Sequence, residues 1–222
     1  MVASREPIPL LGREEQARER RRQLVAIASA LIEEGGADAV TLSRVTERAG
    51  CARTLIYRYF DSREELLIGV IHDYFERLDA RVPEAELRAA MAAVLGAATD
   101  AGLAPARELV SLFWDVLVGA GLGGAILWTT PRASPRLRER IDASRSAYER
   151  RFTGPLREAG LSEAEARTVF DTMTASFVRL ALRERAGELT REQAVDHQAR
   201  VTLGLMGGLL EARQTPDTFL YR

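Results

Sequence analysis

The chain has no lysine, one cysteine and two histidines among 222 residues, and each shortage removes a class of function. A lone thiol, Cys51, excludes an intramolecular disulfide and every multi-cysteine zinc or iron–sulfur site. His72 and His197 stand far apart, so no metal site is expected. No apolar run reaches the ~20 residues that a membrane span requires; Val201–Leu210 is about half that length. Met1–Leu11 shows no charged-then-apolar leader, so a cytoplasmic protein without a membrane partner is expected. β-branched runs are few against 34 alanines, which argues against an all-β fold.

What is present begins with arginine, which supplies all 31 basic residues against 32 acidic ones, a net charge of −1. A near-neutral chain is not adhesive to nucleic acid along its whole length. The basic residues are unevenly spread. Residues 1–63 hold 11 Arg and nine acids, residues 64–222 hold 20 and 23, and Thr41–Arg63 alone holds five Arg against two acids. The bias is small and sits at one end.

Helical periodicity covers almost the whole sequence. Leu24, Ile27, Ala28, Leu31 and Ile32 mark one face of a helix from Arg13 to Glu34, stopped by Gly35-Gly36. Thr41 caps a short helix with Leu42, Val45 and Ala49 on its buried side, ended by Gly50, and a third helix is expected over 52–60. Ser62 and Glu65 read as a capping box for a fourth, long helix whose stripe (Leu67, Val70, Ile71, Tyr74, Phe75, Leu78) runs as far as Val82-Pro83. Longer helices are predicted over 84–100, 105–119, 135–160, 162–186 and 190–213. Ser162 with Glu165 and Thr190 with Gln193 box two of them. Gly154-Pro155 should break or kink the helix it falls in. Gly119–Gly124 reads as a glycine-rich connection. It is not a phosphate loop, since it follows no strand and lacks the Lys-Ser/Thr ending. The expected fold is all-α: a mobile tail (1–12), a three-helix helix-turn-helix unit (13–61), a connecting helix (62–82) and a helical bundle (83–222).

Function concentrates in Thr41–Phe60, TLSRVTERAGCARTLIYRYF. Two short helices joined by a glycine turn form a helix-turn-helix, whose second helix enters a DNA major groove. Leu55, Ile56 and Phe60 are the expected apolar anchors of that helix, and Arg53, Thr54, Tyr57 and Arg58 project from its other side. Arg bonds guanine edges bidentately, Thr offers a hydroxyl or methyl to a base, and Tyr and Arg hold phosphates.

Residues 18–80 resemble the DNA-binding domain of the tetracycline-repressor (TetR) family of bacterial transcription regulators. The resemblance rests on Thr41, Ala49-Gly50, Tyr57-Arg58-Tyr59-Phe60 and the following Ser62-Arg63-Glu64-Glu65-Leu66-Leu67. Three positions depart from the family pattern. Thr46 stands where Ala is usual, Ala52 where a Ser usually caps the recognition helix, and Leu55 where a small residue is usual. The resemblance implies phosphate contacts from Thr41, Tyr59 and Arg63, and groove contacts from Arg53, Thr54, Tyr57 and Arg58. Two residues also have non-DNA readings: Arg63 as a solvated first-turn arginine, Tyr59 as part of the small core. Cys51 is read as inert.

In the bundle, the last two helices are apolar on more than one face, which suits either a thick core or a partner. A homodimer on a two-fold symmetric double-stranded operator is the preferred reading. Val178, Leu182, Val201, Gly204, Leu205, Gly208 and Leu209 form its interface, as the resemblance implies for the last two helices. Phe113, Trp114, Trp128, Phe170, Met173 and Phe177 make either plain core or an apolar pocket for a small effector, which the resemblance implies. Glu108, Ser111 and Asp115 form a polar stripe that is either solvated or turned into that pocket, where Asp115 would select a cationic or donor ligand. No catalytic constellation, metal set or cofactor loop is readable. The function expected is a DNA-binding repressor released by a small apolar or amphipathic ligand; the alternative is a regulator that answers a protein partner instead.

Overall fold

The computed structural model describes residues 12–100, 103–129 and 135–214. The tail expected before Gly12, Gly102, and residues 130–134 of the turn before Pro135 lie outside the described residues. The elements are α1 (Arg13–Gly35), a 3-10 turn (Ala37–Ala39), α2 (Leu42–Arg48), α3 (Arg53–Ile56), α4 (Arg63–Arg81), α5 (Glu84–Asp100), α6 (Ala104–Gly119), α7 (Leu122–Thr129), α8 (Pro135–Glu158), α9 (Glu163–Arg185) and α10 (Arg191–Gln214). No strand occurs among the described residues, and no single helix is long and apolar enough to cross a membrane.

Local chemistry sets the helix ends. Thr41 Oγ1 accepts the Arg44 N–H at 3.1 Å and starts α2. Ser62 Oγ accepts the Glu65 N–H at 3.2 Å, while the Glu65 carboxylate reaches back one residue further than a capping box requires, to the Asp61 N–H at 2.7 Å. The Ser162–Glu165 box is complete, and Thr190 and Gln193 exchange bonds of 3.2 and 2.9 Å. Gly36 (φ 74) and Gly50 (φ 60) take the left-handed conformation that the turns after α1 and α2 require.

Two packed regions follow. Leu24, Ala28, Val45, Ile56, Phe60 and Leu67 close the first, between α1, α2, α3 and α4, and all are buried. In the second, the rings of Phe75, Trp128, Tyr148, Phe152 and Phe170 form an aromatic cluster from four helices, with centroids 5.0 to 5.9 Å apart. Of the break or kink expected at Gly154-Pro155, the break does not occur, since α8 runs through Pro155 to Glu158. Phe152 and Leu156 anchor the chain on both sides of it in the core, which offsets the lost hydrogen bond.

The largest departure from the sequence reading is α7. What looked like a glycine-rich connection continues into a buried helix, and its glycines are contact points. A Cβ on Gly123 would lie 2.4 Å from Ser29 Oγ and 2.7 Å from Ser29 Cα on α1, and one on Gly124 would lie 2.4 Å from Tyr74 Cβ on α4. The Gly123 N–H donates to Glu33 Oε1 at 3.2 Å, and Glu33 also pairs with Arg185 of α9. Gly124→Ala should therefore cost about 1–3 kcal/mol through overpacking. Gly96→Ala, with nothing within 4 Å of the added carbon, should be neutral or stabilising by up to about 1 kcal/mol. Urea unfolding of the two variants checks this, and equal effects would refute the close-approach account.

Candidate nucleic-acid interface and apolar cavity

The corner between α1 and α2 is held by arginine. Arg63 on α4 donates from Nε to Val40 O (2.7 Å) and from Nη2 to Ala37 O (2.6 Å). Arg44 Nη1 reaches Ala39 O at 2.9 Å, and Arg48 pairs with Glu34 at 2.6 Å. Three of the five arginines in Thr41–Arg63 are thus engaged within the protein. Arg63 is neither a solvated first-turn residue nor a side chain with all its donors free for phosphate.

Arg53 and Arg58 are different. Both are exposed, and neither side chain makes a hydrogen bond or ion pair with another described residue. Thr54 is exposed beside them, and Tyr57 leaves 49% of its surface in solvent. These four side chains share one outward surface behind which Ile56 and Phe60 are buried. Leu55 departs from the expected anchor role. It is only half-buried and, with Tyr59, lines a shallow groove against Gln16, Arg20 and Gln23 of α1. The α-helix itself is only Arg53–Ile56, not 52–60. Ala52 supplies no cap, and Arg58 N to Leu55 O (3.1 Å) and Tyr59 N to Ile56 O (3.0 Å) are the tighter i→i+3 bonds of a turn. Thr46 costs the fold nothing, since its hydroxyl bonds Ser43 O at 2.9 Å within α2.

In the bundle an apolar cavity of about 90 Å³ is lined by residues of α4, α5, α6, α7, α8, α9 and α10. Phe113, Trp128, Phe170, Met173 and Phe177 line it. Trp114 does not. It is buried edge-on against Phe177 at 4.8 Å and donates its indole N–H to Glu184 at 2.7 Å. Asp115 does not either. It is 68% exposed and held by Arg191 through two bonds of 2.7 and 2.8 Å, while Arg191 also bonds Ser111 Oγ at 3.1 Å. The polar stripe of α6 is the solvated one, which removes the argument for a cationic ligand. Leu112 of the same helix is 50% exposed.

Sequence reasoning missed the polar part of the cavity wall: Tyr74, Tyr148, Thr174 and Gln198. Gln198 is buried, accepts from Ser176 Oγ at 2.8 Å and donates to Met173 O at 3.1 Å. Burial pushes both phenols above their ordinary pKa. At Tyr74 the nearby Tyr148 adds to the rise, and at Tyr148 Arg151 opposes it. Their shared spacing on apolar helix faces made them look like core.

The suggested interface on α9 and α10 divides. Val178 is already buried within the protomer and cannot meet a partner. Leu182, Val201, Leu205 and Leu209 are half-buried, and Gly204 and Gly208 are exposed with nothing within 4 Å of an added Cβ.

Residues 24–70 match the family model described as bacterial regulatory proteins, tetR family. Over 77 residues the chain is 42% identical to the HTH-type transcriptional repressor KstR of Mycolicibacterium smegmatis, a match spanning 35% of this chain and 37% of that protein. The fold extends the similarity along the chain. The fatty acid degradation regulator FadR from Bacillus halodurans is similar with a TM-score of 0.56 at 19% identity, over 86% of this chain and 96% of that one. FadR from Bacillus subtilis, solved in complex with stearoyl-CoA, is similar with a TM-score of 0.50 at 17% identity, over 83% and 96%.

Arg63→Ala should cost about 1–3 kcal/mol, because the Ala37 and Val40 carbonyls lose a charge-assisted donor. Native-state hydrogen exchange should show the loss concentrated in the amides of residues 37–45. A uniform change would refute the assigned role.

Proposed function

We propose, from the match of residues 24–70 to the tetR family of bacterial regulatory proteins, that the chain is a sequence-specific DNA-binding repressor of that family that acts in the cytoplasm as a homodimer and is released from its operator by a small effector. Residues 13–61 read DNA, 62–82 transmit, and 83–222 sense and dimerise. The observation that carries the reading is the pair of unpartnered arginines, Arg53 and Arg58, flanking exposed Tyr57 while the neighbouring arginines are consumed by the fold. Unpaired guanidiniums on one outward face suit base edges and phosphates. In this reading Arg53, Thr54, Tyr57 and Arg58 enter the major groove, and Thr41 and Tyr59 contact phosphates. Arg63 lends a phosphate only what its two carbonyl bonds leave over.

Dimerisation uses α9 and α10, where Gly204 and Gly208 let a second backbone come close. A two-fold dimer presents two α3 segments to a two-fold operator. The effector site is the cavity. Three of the four methionines in the chain, Met91, Met173 and Met206, line it. Thioether side chains re-pack at little cost, so the wall is adaptable. An effector works only by binding the DNA-released form more tightly than the DNA-bound one.

An operator selected from random duplexes provides the assay. Arg53→Ala and Tyr57→Ala should each lose about 1–3 kcal/mol of discrimination between operator and scrambled DNA while keeping helix content. Arg63→Ala should weaken both duplexes alike and lower the salt slope by about one. Unchanged discrimination in the first two variants would refute the groove assignment. Gly204→Leu and Gly208→Leu should sediment as folded monomers, because neither side chain meets its own protomer. A wild type that is monomeric at micromolar concentration would refute the dimer.

A further inference from the structure

The last turn of α1 carries two adjacent carboxylates and no basic residue, although the helix macrodipole disfavours acids there. The two acids serve opposite sides of the molecule. Glu34 pairs with Arg48 of α2 at 2.6 Å, inside the helix-turn-helix. Glu33 is turned to the bundle, with only 10% of its side chain exposed. Its oxygens divide their partners. Oε1 accepts from the Gly123 N–H at 3.2 Å and from Ser29 Oγ at 3.4 Å, and Oε2 pairs with Arg185.

Arg185 ends α9, and its neighbours hold the same turn in place. Glu184 accepts the indole N–H of Trp114 on α6 at 2.7 Å, and Arg183 pairs with Glu188 at 2.9 Å. Leu182, one turn earlier, is half-buried on the face proposed for the dimer. The Arg185 guanidinium is therefore a direct tie from α9 to α1, separate from the covalent route through α4. A nearly buried carboxylate is costly to leave without its charged partner, so the tie holds α1 in one place.

Leverage decides what that tie controls. Glu33 and Gln16 stand about 25 Å apart along α1, at ~1.5 Å per residue. At the far end Gln16, Arg20 and Gln23 border Leu55 and Tyr59 beside α3. A tilt of about 5° at Glu33 moves that end by roughly 2 Å. In a two-fold dimer both units tilt, and the separation of the two α3 segments changes by about 4 Å, more than the ~3.4 Å rise of one base pair.

Resting on the dimeric, operator-binding reading above, we infer that Glu33 and Arg185 are positioning residues: the pair fixes the angle of the helix-turn-helix on the dimer core, and with it the half-site spacing that the protein accepts.

The test uses the full-length dimer and operators whose half-sites are moved together or apart by one base pair. Wild type should bind its selected spacing at least tenfold more tightly than either shifted one. Arg185 leaves 47% of its side chain in solvent, so Arg185→Ala opens no cavity. That variant should keep its affinity for a duplex with a single half-site and lose spacing preference to under threefold. Glu33→Gln still accepts from Gly123 and Ser29 but carries no charge, and should match it. The double variant should be no worse than either single one. Arg185→Lys retains the charge and should restore most of the preference. Spin labels at Glu47→Cys in a Cys51→Ser background measure the distance between the two helix-turn-helix units without DNA, and its distribution should widen by several ångströms in Arg185→Ala. An unchanged spacing preference, an equal loss at every spacing or an unchanged label distance overturns the inference. A wild type that selects no two-fold operator refutes the DNA-binding reading instead, and the label distance then decides by itself whether the pair fixes the angle.

Discussion

Two glycines at the start of α7 let its backbone touch Ser29 on α1 and Tyr74 on α4, closer than any side chain at those positions would permit. The same turn places the Gly123 N–H on Glu33, and Glu33 also accepts from Ser29 and pairs with Arg185. One carboxylate therefore joins α1, which supports the helix-turn-helix, to α7, which walls the cavity, and to α9. Because α7 carries Trp128 into the cavity at its other end, the wall of the cavity and the base of the helix-turn-helix share a short rigid body. Close-packed contacts of this kind transmit displacement and do not absorb it.

The arginine-only composition gains meaning from the same geometry. Arg63 binds two carbonyls of the corner with a planar fork that lysine cannot reproduce. Arg44 and Arg48 secure the other sides. The outward surface of α3 is thus distinguished less by an excess of positive charge than by which charges the fold leaves unoccupied.

Much of this was legible in the sequence because it is governed by local rules. The caps at Thr41, Ser62, Ser162 and Thr190, the stops at Gly36 and Gly50, and the long apolar stripes depend on residues within one or two turns of each other. What was not legible depends on tertiary partners. Glycines inside α7 oppose a helix by propensity, and only the approach to α1 and α4 makes them necessary. Pro155 opposes a continuous α8 until Phe152 and Leu156 are seen in the core. Asp115 looked like an acid among aromatics until Arg191, 76 residues away, claimed it. Val178 and Leu182 read alike as a partner-facing stripe, yet one is covered by its own protomer. The phenols of the cavity passed for core because periodicity reports burial and says nothing of which side chains border a cavity.

The two tryptophans stand in unlike surroundings although both are buried. Trp128 borders the cavity among Phe75, Tyr148 and Phe170, and Trp114 sits outside it with its indole fixed to Glu184. Indole emission shifts with the polarity and hydrogen bonding of its immediate neighbours. The chain therefore contains one fluorophore that reports on the cavity and a second that serves as an internal reference, so that replacing either with phenylalanine separates occupancy from global change without an added dye.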